Sequence, residues 1–183
     1  MSQAQQDFIS KYNDYVQQIT AGTGIYPETI FSQAIVESQK NGVVPGTLLA
    51  TKYNNLFGIK DSSSWNGETV NLNTGEVFNG NSTTVSANFR VYNSPEESFL
   101  DYVNFLKNNS RYEEAGVFDA QNYTDQINAV ASAGYATNPS YATLLNNIAN
   151  SITDYITPLN IGLGIVLVGV LIFTFYHLYD KTS

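Results

Sequence analysis

Apolar residues recur at helical spacing along the first part of the chain. The apolar positions within residues 3–19 fit one helical face: Phe8, Tyr12, Tyr15, Val16 and Ile19. A second helix is predicted from Pro27, which suits the first helical position, to about residue 39. A short third helix is predicted over residues 47–53. The pattern therefore indicates that the chain begins with a helical lobe.

Residues 68–91 follow a different pattern, in which apolar and polar residues alternate. Alternation is typical of strands that turn one face toward a core. The apolar members are Val70, Leu72, Val77, Val85, Ala87, Phe89 and Val91. Turns are predicted at residues 73–75 (Asn-Thr-Gly) and 79–81 (Asn-Gly-Asn), because Asn and Gly tolerate turn conformations. A small antiparallel sheet is the expected product.

Helical spacing returns after the sheet. Ser94 and Glu97 form an S-x-x-E capping box around Pro95, which predicts the start of a helix. The apolar residues expected on one side of this helix are Phe99, Leu100, Val103 and Leu106. Further helices are predicted near residues 123–133 and 139–155. Residues 1–155 are thus expected to form one α+β domain that is mainly α, with a β insertion between two helical lobes.

The end of the chain is strongly apolar. No Asp, Glu, Lys or Arg occurs from Tyr155 to Tyr179, and residues 161–176 are almost wholly apolar. We predict a single transmembrane helix over residues 156–179, followed by a short polar tail at 180–183. A buried core helix is the alternative, because the strictly apolar run has only 16 residues. No secretory signal is recognisable at the start, so ordinary N-terminal export is not expected.

Composition excludes several kinds of chemistry. The 183 residues include no Cys and one His, His177, which excludes thiol nucleophiles, disulfides, thiolate metal sites and Ser-His-Asp catalysis. We therefore predict no cofactor and no metal site. The net charge is −8, and Lys and Arg are not clustered, so nucleic acid is not an expected partner. Carboxylates and tyrosines remain for proton chemistry.

Glu37 is the carboxylate that the helical pattern singles out. At about 100° per residue it points within roughly 20° of Ile30 and 60° of Ala34, on the apolar face of the second predicted helix. Partial removal from water disfavours ionisation and raises the pKa of a carboxyl toward the range useful to a general acid. The alternative is a surface charge paired with Lys40 or Lys52.

Residues 34–60, AIVESQKNGVVPGTLLATKYNNLFGIK, resemble the glucosaminidase family of peptidoglycan hydrolases (glycoside hydrolase family 73). The shared features are A-x-x-E-S ending at Ser38, the pair Leu49 and Ala50, and N-N-L-F-G-I-K ending at Lys60. The resemblance extends from about residue 8 to 148 and includes GYATNPSYA at residues 134–142. One departure follows Ser38: the family's Gly-Trp-Gly is replaced by Gln-Lys-Asn.

The resemblance implies a lysozyme-like fold with a glycan cleft between a helical lobe and a β-lobe. Glu37 is then the general acid, and Glu76, in the family's Thr-x-Glu, is the second carboxylate that activates water or stabilises a cationic sugar. A solvated hairpin charge is the alternative for Glu76. The substrate's own N-acetyl group is an alternative nucleophile. Tyr135 is expected to line the cleft near the reaction centre.

Further contacts with the substrate are assigned to the neighbourhood of the acid. Tyr141 is expected to bind substrate or to pack in the core, and Trp65, in a polar loop, to stack on a sugar. Because the family's Trp is missing, Trp65 or Tyr53 is expected to supply an aromatic wall. Asn54 and Asn55 are expected to shape the cleft chiefly by holding its loop, since Asn side chains bond nearby backbone in turns.

The function expected from these residues is that of a membrane-anchored endo-β-N-acetylglucosaminidase that cleaves β-1,4 bonds of peptidoglycan. A lytic transglycosylase and a non-catalytic glycan-binding or structural membrane protein are the alternatives. Expected partners are peptidoglycan strands, a lipid membrane, and membrane or capsid proteins. Expected locations are a phage virion membrane or a bacterial inner membrane.

Overall fold

In a computed structural model, residues 1–78 and 81–156 are described. The predicted transmembrane segment from residue 157 onward and the polar tail lie outside these residues. Among the described residues, no helix is long and apolar enough to cross a membrane.

Seven helices and one hairpin make up the described part of the chain. In order they are α1 (Gln3–Thr20), α2 (Pro27–Ser38), α3 (Leu48–Tyr53), β1 (Thr69–Phe78), β2 (Asn81–Arg90), α4 (Pro95–Asn108), α5 (Ser110–Glu114), α6 (Tyr123–Ser132) and α7 (Tyr141–Ile152). A 3₁₀ turn, Thr153–Tyr155, follows α7. The mainly helical α+β fold expected from the sequence is confirmed, while α5 was not predicted.

Side-chain caps fix where several helices begin. The Ser2 hydroxyl accepts from the Gln5 amide, and the Gln5 side chain accepts from the Ser2 amide, so α1 starts with a capping box. The Ser94 hydroxyl accepts from the backbone amide of Glu97, as predicted for α4. The Glu97 carboxylate, however, accepts from the backbone amide of Asn93 rather than from Ser94. The hydrogen bond to the Ser94 hydroxyl is thus as predicted, but the Glu97 side chain bonds the backbone amide one residue earlier than a capping box requires.

An aromatic cluster forms the centre of the core. The Phe99 ring of α4 lies between α1, α2 and the loop after α3, with ring centroids 5.3 Å from Tyr12 and 5.6 Å from Phe57. A second, smaller cluster joins α6 and α7 through Ile127, Tyr141 and Leu145. Leu100 is 44% exposed, so its predicted place on the buried face of α4 is wrong. Tyr102 takes that place, because it lies three residues after Phe99.

The two strands form a single antiparallel hairpin. Pairing is continuous from Thr69 opposite Arg90 to Phe78 opposite Asn81. The turn predicted at residues 73–75 is wrong, because β1 passes through them and each of the three residues has a pairing partner in β2. Ladder pairing thus overrides the turn preference of Asn and Gly.

Candidate active site

A cleft of about 1360 Å³ lies between the hairpin and the helical lobe. It exceeds the roughly 300–1,000 Å³ typical of pockets for small ligands, as an extended substrate requires. One wall contains Glu37 and residues 57–64, and the facing wall contains residues 72–75 of β1. Asn104 of α4, Arg111 of α5 and residues 135–138 line the remaining side.

Glu37 lies in the last turn of α2, at the edge of the core. Ile30 and Ala34 are fully buried on the same helix, and Glu37 itself is partly buried. Burial raises the pKa of the Glu37 carboxyl above its ordinary value, and a hydrogen bond from Tyr141 partly opposes that rise. A carboxyl with a raised pKa inside a cleft has the properties that a general acid needs.

Tyr141 lies behind Glu37, not in the cleft. Its ring is 4% exposed, and its hydroxyl donates to Oε1 of Glu37 over 2.8 Å. Of the two alternatives for Tyr141, the structure favours core packing: it is the first residue of α7, whose packing against α2 directs the ring into the core. Burial raises the pKa of the Tyr141 phenol above its ordinary value, so the hydroxyl keeps its proton and remains a hydrogen-bond donor.

Tyr135 lines the cleft, as the resemblance implied. Its hydroxyl donates to the Phe57 carbonyl over 2.9 Å. Its ring stacks nearly parallel on that of Tyr141, with centroids 5.9 Å apart and an angle of 8°. Because the hydroxyl is already bonded to backbone, the ring is the part of Tyr135 available to a ligand.

The two Asn residues of the N-N-L-F-G-I-K segment hold the cleft loop rather than line the cleft. Asn55 is 1% exposed, and its side-chain amide donates to the carbonyls of Ile59 and Arg90. Asn54 ends α3 with a φ of 53° and donates to the carbonyl of Tyr92. Both side-chain amides therefore hold the loop, as predicted, and their assignment to substrate binding stays a prediction.

The expected aromatic wall is not formed by Trp65 or Tyr53, neither of which lines the cleft. The indole N–H of Trp65 donates to the Glu68 carbonyl, and the Arg90 guanidinium lies 4.8 Å from its ring centroid. Trp65 thus packs on the base of the hairpin, which leaves its sugar-stacking role without a place in the cleft. The Lys52 ammonium lies 5.2 Å from the ring centroid of Tyr53.

Glu76 belongs to β1, where its backbone pairs with Thr83. Its side chain lies outside the described part of the structure. Thr74 and Gly75, which precede it in the strand, line the cleft. The role of Glu76 as second carboxylate stays a prediction.

Three features of the site were not predicted. Gln33 donates to the Tyr141 hydroxyl over 3.2 Å, and its position four residues before Glu37 was the available signal. Gly58, at φ +65°, lies beside the acid: a Cβ there would be 3.9 Å from Oε2 of Glu37. Arg90 forms an ion pair of 2.8 Å with Asp101, which no local pattern indicates because the two residues lie on different elements.

Residues 13–154 match the family described as glucosaminidase, mannosyl-glycoprotein endo-beta-N-acetylglucosaminidase. Because this match covers well over half of the chain, the protein belongs to the glucosaminidase family, a family of glycoside hydrolases. The resemblance inferred from residues 34–60 is confirmed.

Individual relatives agree with this membership. The peptidoglycan hydrolase FlgJ of Pseudomonas aeruginosa is 37% identical over 70% of this chain and 30% of its own length. The exo-glucosaminidase LytG of Bacillus subtilis is 34% identical over 79% of this chain and 50% of its own length. The chain spans half or less of the length of these curated relatives.

Solved structures share the fold. The catalytic domain of the autolysin Auto from Listeria monocytogenes is 30% identical, with a TM-score of 0.70 over 85% of this chain and 89% of that one. The C-terminally truncated glycoside hydrolase domain of Salmonella typhimurium FlgJ is 31% identical, with a TM-score of 0.60 over 82% of this chain and 98% of that one.

Proposed function

We propose that this protein is a peptidoglycan hydrolase, an endo-β-N-acetylglucosaminidase that cleaves the β-1,4 bond after N-acetylglucosamine. The observation that supports it most is Glu37, a carboxyl with a raised pKa that lines a long cleft. Family membership supports the same chemistry, and relatives named peptidoglycan hydrolase, autolysin and exo-glucosaminidase support the substrate.

Glu37 acts as the general acid in this proposal. Its proton passes to the glycosidic oxygen while the bond from that oxygen to the sugar breaks, and the bonding electron pair stays with the leaving oxygen. Glu37 is then a carboxylate. The Tyr141 hydroxyl, 2.8 Å from Oε1, stabilises that carboxylate. Burial favours the protonated carboxyl before the reaction, and the hydrogen bond from Tyr141 favours release of the proton during it.

A second group completes hydrolysis. Water adds to the cationic sugar and loses a proton, so that each new end of the glycan has a hydroxyl. We assign the activation of water, or stabilisation of the cation, to Glu76. If the substrate's N-acetyl group is the nucleophile instead, Glu76 supports that group.

Digestion of purified sacculi by the full chain tests the acid. Glu37→Gln is expected to lower the rate by roughly 10²–10⁴-fold, the usual contribution of a general acid. Glu114→Gln, at an exposed residue of α5, is the matched control and should retain full activity. Undiminished activity of Glu37→Gln contradicts the proposal. Binding of sacculi without cleavage by the wild type identifies a glycan-binding protein instead.

Fragment masses and Glu76→Gln together separate hydrolysis from lytic transglycosylation. A hydrolysed end weighs one water more than an anhydro end. A glucosaminidase should release hydrolysed ends and lose most activity in Glu76→Gln. Anhydro ends, with activity retained in Glu76→Gln, would instead identify a transglycosylase that relies on Glu37 alone.

We also propose that residues 156–179 anchor the protein in a membrane, of a virion or of a bacterial cell. The support is the uncharged, apolar sequence of this segment. In a flotation assay the full chain should rise with lipid vesicles, and Leu167→Lys combined with Val170→Lys should stay behind, because each lysine costs roughly 2.5–3.5 kcal/mol in a membrane centre. Detection in purified phage particles would favour the virion and an association with capsid or virion membrane proteins.

A further inference from the structure

Three side chains form a hydrogen-bonded chain behind the cleft. Gln33 and Glu37 lie four residues apart on α2, and the Tyr141 hydroxyl lies between their ends. Nε2 of Gln33 donates to the Tyr141 hydroxyl over 3.2 Å, and that hydroxyl donates to Oε1 of Glu37 over 2.8 Å. The chain joins a fully buried amide to the carboxyl that lines the cleft.

The direction of these hydrogen bonds follows from the groups involved. A phenol has one proton to donate, and its oxygen can accept. Because the Gln33 amide gives an N–H to the phenol oxygen, the phenol proton is free for Glu37. A donor on a hydroxyl oxygen also strengthens the bond which that hydroxyl donates in turn.

Gln33 makes this contact although stability alone would favour another residue. It is 0% exposed, and its Oε1 has no hydrogen-bond partner among the described residues. A buried acceptor left unpaired costs about 1–3 kcal/mol. An apolar side chain of similar size would avoid that cost. Stability therefore does not account for Gln33, and the hydrogen bond to Tyr141 is the contact that distinguishes it from an apolar residue.

The hydrogen bonds from Gln33 to Tyr141 and from Tyr141 to Glu37 also distinguish the two oxygens of Glu37. Oε1 accepts from Tyr141, and a protonated carboxyl accepts best at its carbonyl oxygen. The acidic proton therefore resides on Oε2. Oε2 is the oxygen beside Gly58, which lines the cleft and has no side chain to cover it.

We propose that Gln33 is a positioning residue that holds the Tyr141 hydroxyl toward Oε1 of Glu37, so that the acidic proton lies on Oε2, where a sugar-linking oxygen can reach it. This inference rests on the proposed function and adds the orientation of the acid to it.

Other titratable groups around Glu37 remain unchanged in the test below. Burial, and to a smaller extent the nearby Glu37, raises the pKa of the phenols of Tyr102 on α4 and of Tyr135, so both stay neutral. The charged residues that share the cleft are Lys60, Asp61, Arg90, Asp101 and Arg111. Arg90 and Asp101 are paired with each other.

The test is Gln33→Met in the full chain, with kcat and KM measured on sacculi fragments from pH 4 to 9. Loss of the N–H donor weakens the Tyr141 bond that stabilises the Glu37 carboxylate, so the pKa of Glu37 rises. An acid must be protonated to act, so the alkaline limb of kcat moves to higher pH. The maximal kcat falls about 3- to 10-fold, which corresponds to the net free energy of one hydrogen bond, while KM stays unchanged.

Gln126→Met is the matched control. Gln126 is also 0% exposed, but its amide donates to Gly24 and Val117 and accepts from Tyr26. This variant should unfold more easily and keep the wild-type pH profile. Gln33→Met should unfold no more easily than wild type and shift the profile. A purely structural role for Gln33 predicts the opposite.

Tyr141→Phe completes the test. It should move the alkaline limb in the same direction, and adding Gln33→Met to it should cause no further shift, because both act through one hydrogen bond. Additive shifts, or an unshifted profile in Gln33→Met, overturn the inference. Glu37→Gln keeps the two questions apart: if it is inactive and Gln33→Met is unshifted, only the inference fails, whereas an active Glu37→Gln refutes the proposed function.

Discussion

The two walls of the cleft are built in different ways. The helical wall places Glu37 on α2, among side chains of α2 and α7 that are almost fully buried. The hairpin wall is more exposed: among its described side chains, Val70, Leu72, Thr74 and Val85 are only half-buried, and Asn71, Asn73 and Thr84 are exposed. Burial on the hairpin begins at its base, with Phe89 and Arg90.

This difference fits the separate tasks of the two walls. A proton donor depends on fixed surroundings, because the pKa of Glu37 is set by burial and by one hydrogen bond. A wall that receives a long glycan needs an accessible surface more than a buried one. The first wall is therefore held by core packing, and the second by the contacts at its base.

Removal of the ion pair at the hairpin base should destabilise the hairpin wall, because that wall is held by the contacts at its base. Arg90 donates through Nη1 to both oxygens of Asp101 and through Nη2 to Ser62. Arg90→Ala leaves Asp101 without its cation and should lower the free energy of unfolding by about 3 kcal/mol. Denaturant titration measures this loss. Hydrogen exchange should then increase in residues 69–75 before it increases in α2.

Lys107→Ala is the control for this prediction. Lys107 is an exposed residue of the last turn of α4, and its loss should change stability by less than about 0.5 kcal/mol. If exchange in α2 rises together with exchange in the strands, the two walls unfold as one unit and the contrast between them is refuted.

Gly58→Ala tests the access to Oε2 on the helical wall. The left-handed backbone at φ +65° costs an alanine about 1–2 kcal/mol, and the new Cβ would lie 3.9 Å from Oε2 of Glu37. Stability and kcat/KM should both fall, the latter about tenfold or more because the new methyl group occupies the space beside Oε2 that a sugar oxygen would need. Gly116→Ala has the same strain at φ +78° with no atom within 4 Å. Gly116→Ala should lower stability and leave kcat/KM unchanged. If Gly116→Ala also lowered kcat/KM, backbone strain would explain both the stability loss and the activity loss of Gly58→Ala.

The sequence predicted the helical wall better than the hairpin wall. Period and caps located α1, α2 and α4, and the apolar neighbours Ile30 and Ala34 singled out Glu37 as a carboxylate partly removed from water. These signals are local. Residues 73–75 were misassigned as a turn because strand pairing depends on β2, which lies beyond the local window.

The contacts around the acid show the same limit. Tyr141 lies 104 residues after Glu37, and the direction of its ring is set by the packing of α7 on α2. Trp65 was assigned to the cleft because its own loop offers no burial, but Arg90 and Tyr92, at the base of the hairpin, contact its ring. Distant partners determined both outcomes.

Burial of the acid should reduce stability at neutral pH. Because the folded-state pKa of Glu37 is raised above 4.5, its protonated form favours folding. That stabilisation is complete below about pH 4.5 and is lost as the pH rises through the folded-state pKa. Glu37→Gln needs no proton, so its Tm should exceed that of wild type by a few degrees at pH 8 and equal it at pH 4. An equal difference at both pH values would show that ionisation has no part in it.

Tyr102→Phe gives the smallest expected effect and sharpens the account of the helical wall. The Tyr102 hydroxyl is fully buried and has no hydrogen-bond partner among the described residues, whereas that of Tyr112 accepts from Arg111 over 2.6 Å. Tyr102→Phe should be neutral or stabilising by up to about 1 kcal/mol, and Tyr112→Phe should cost about 1 kcal/mol, in parallel denaturant titrations. Equal losses would mean that the Tyr102 hydroxyl is satisfied. A gain would show that the wall around Glu37 keeps a second buried polar group at the expense of stability, beside the unpaired Oε1 of Gln33.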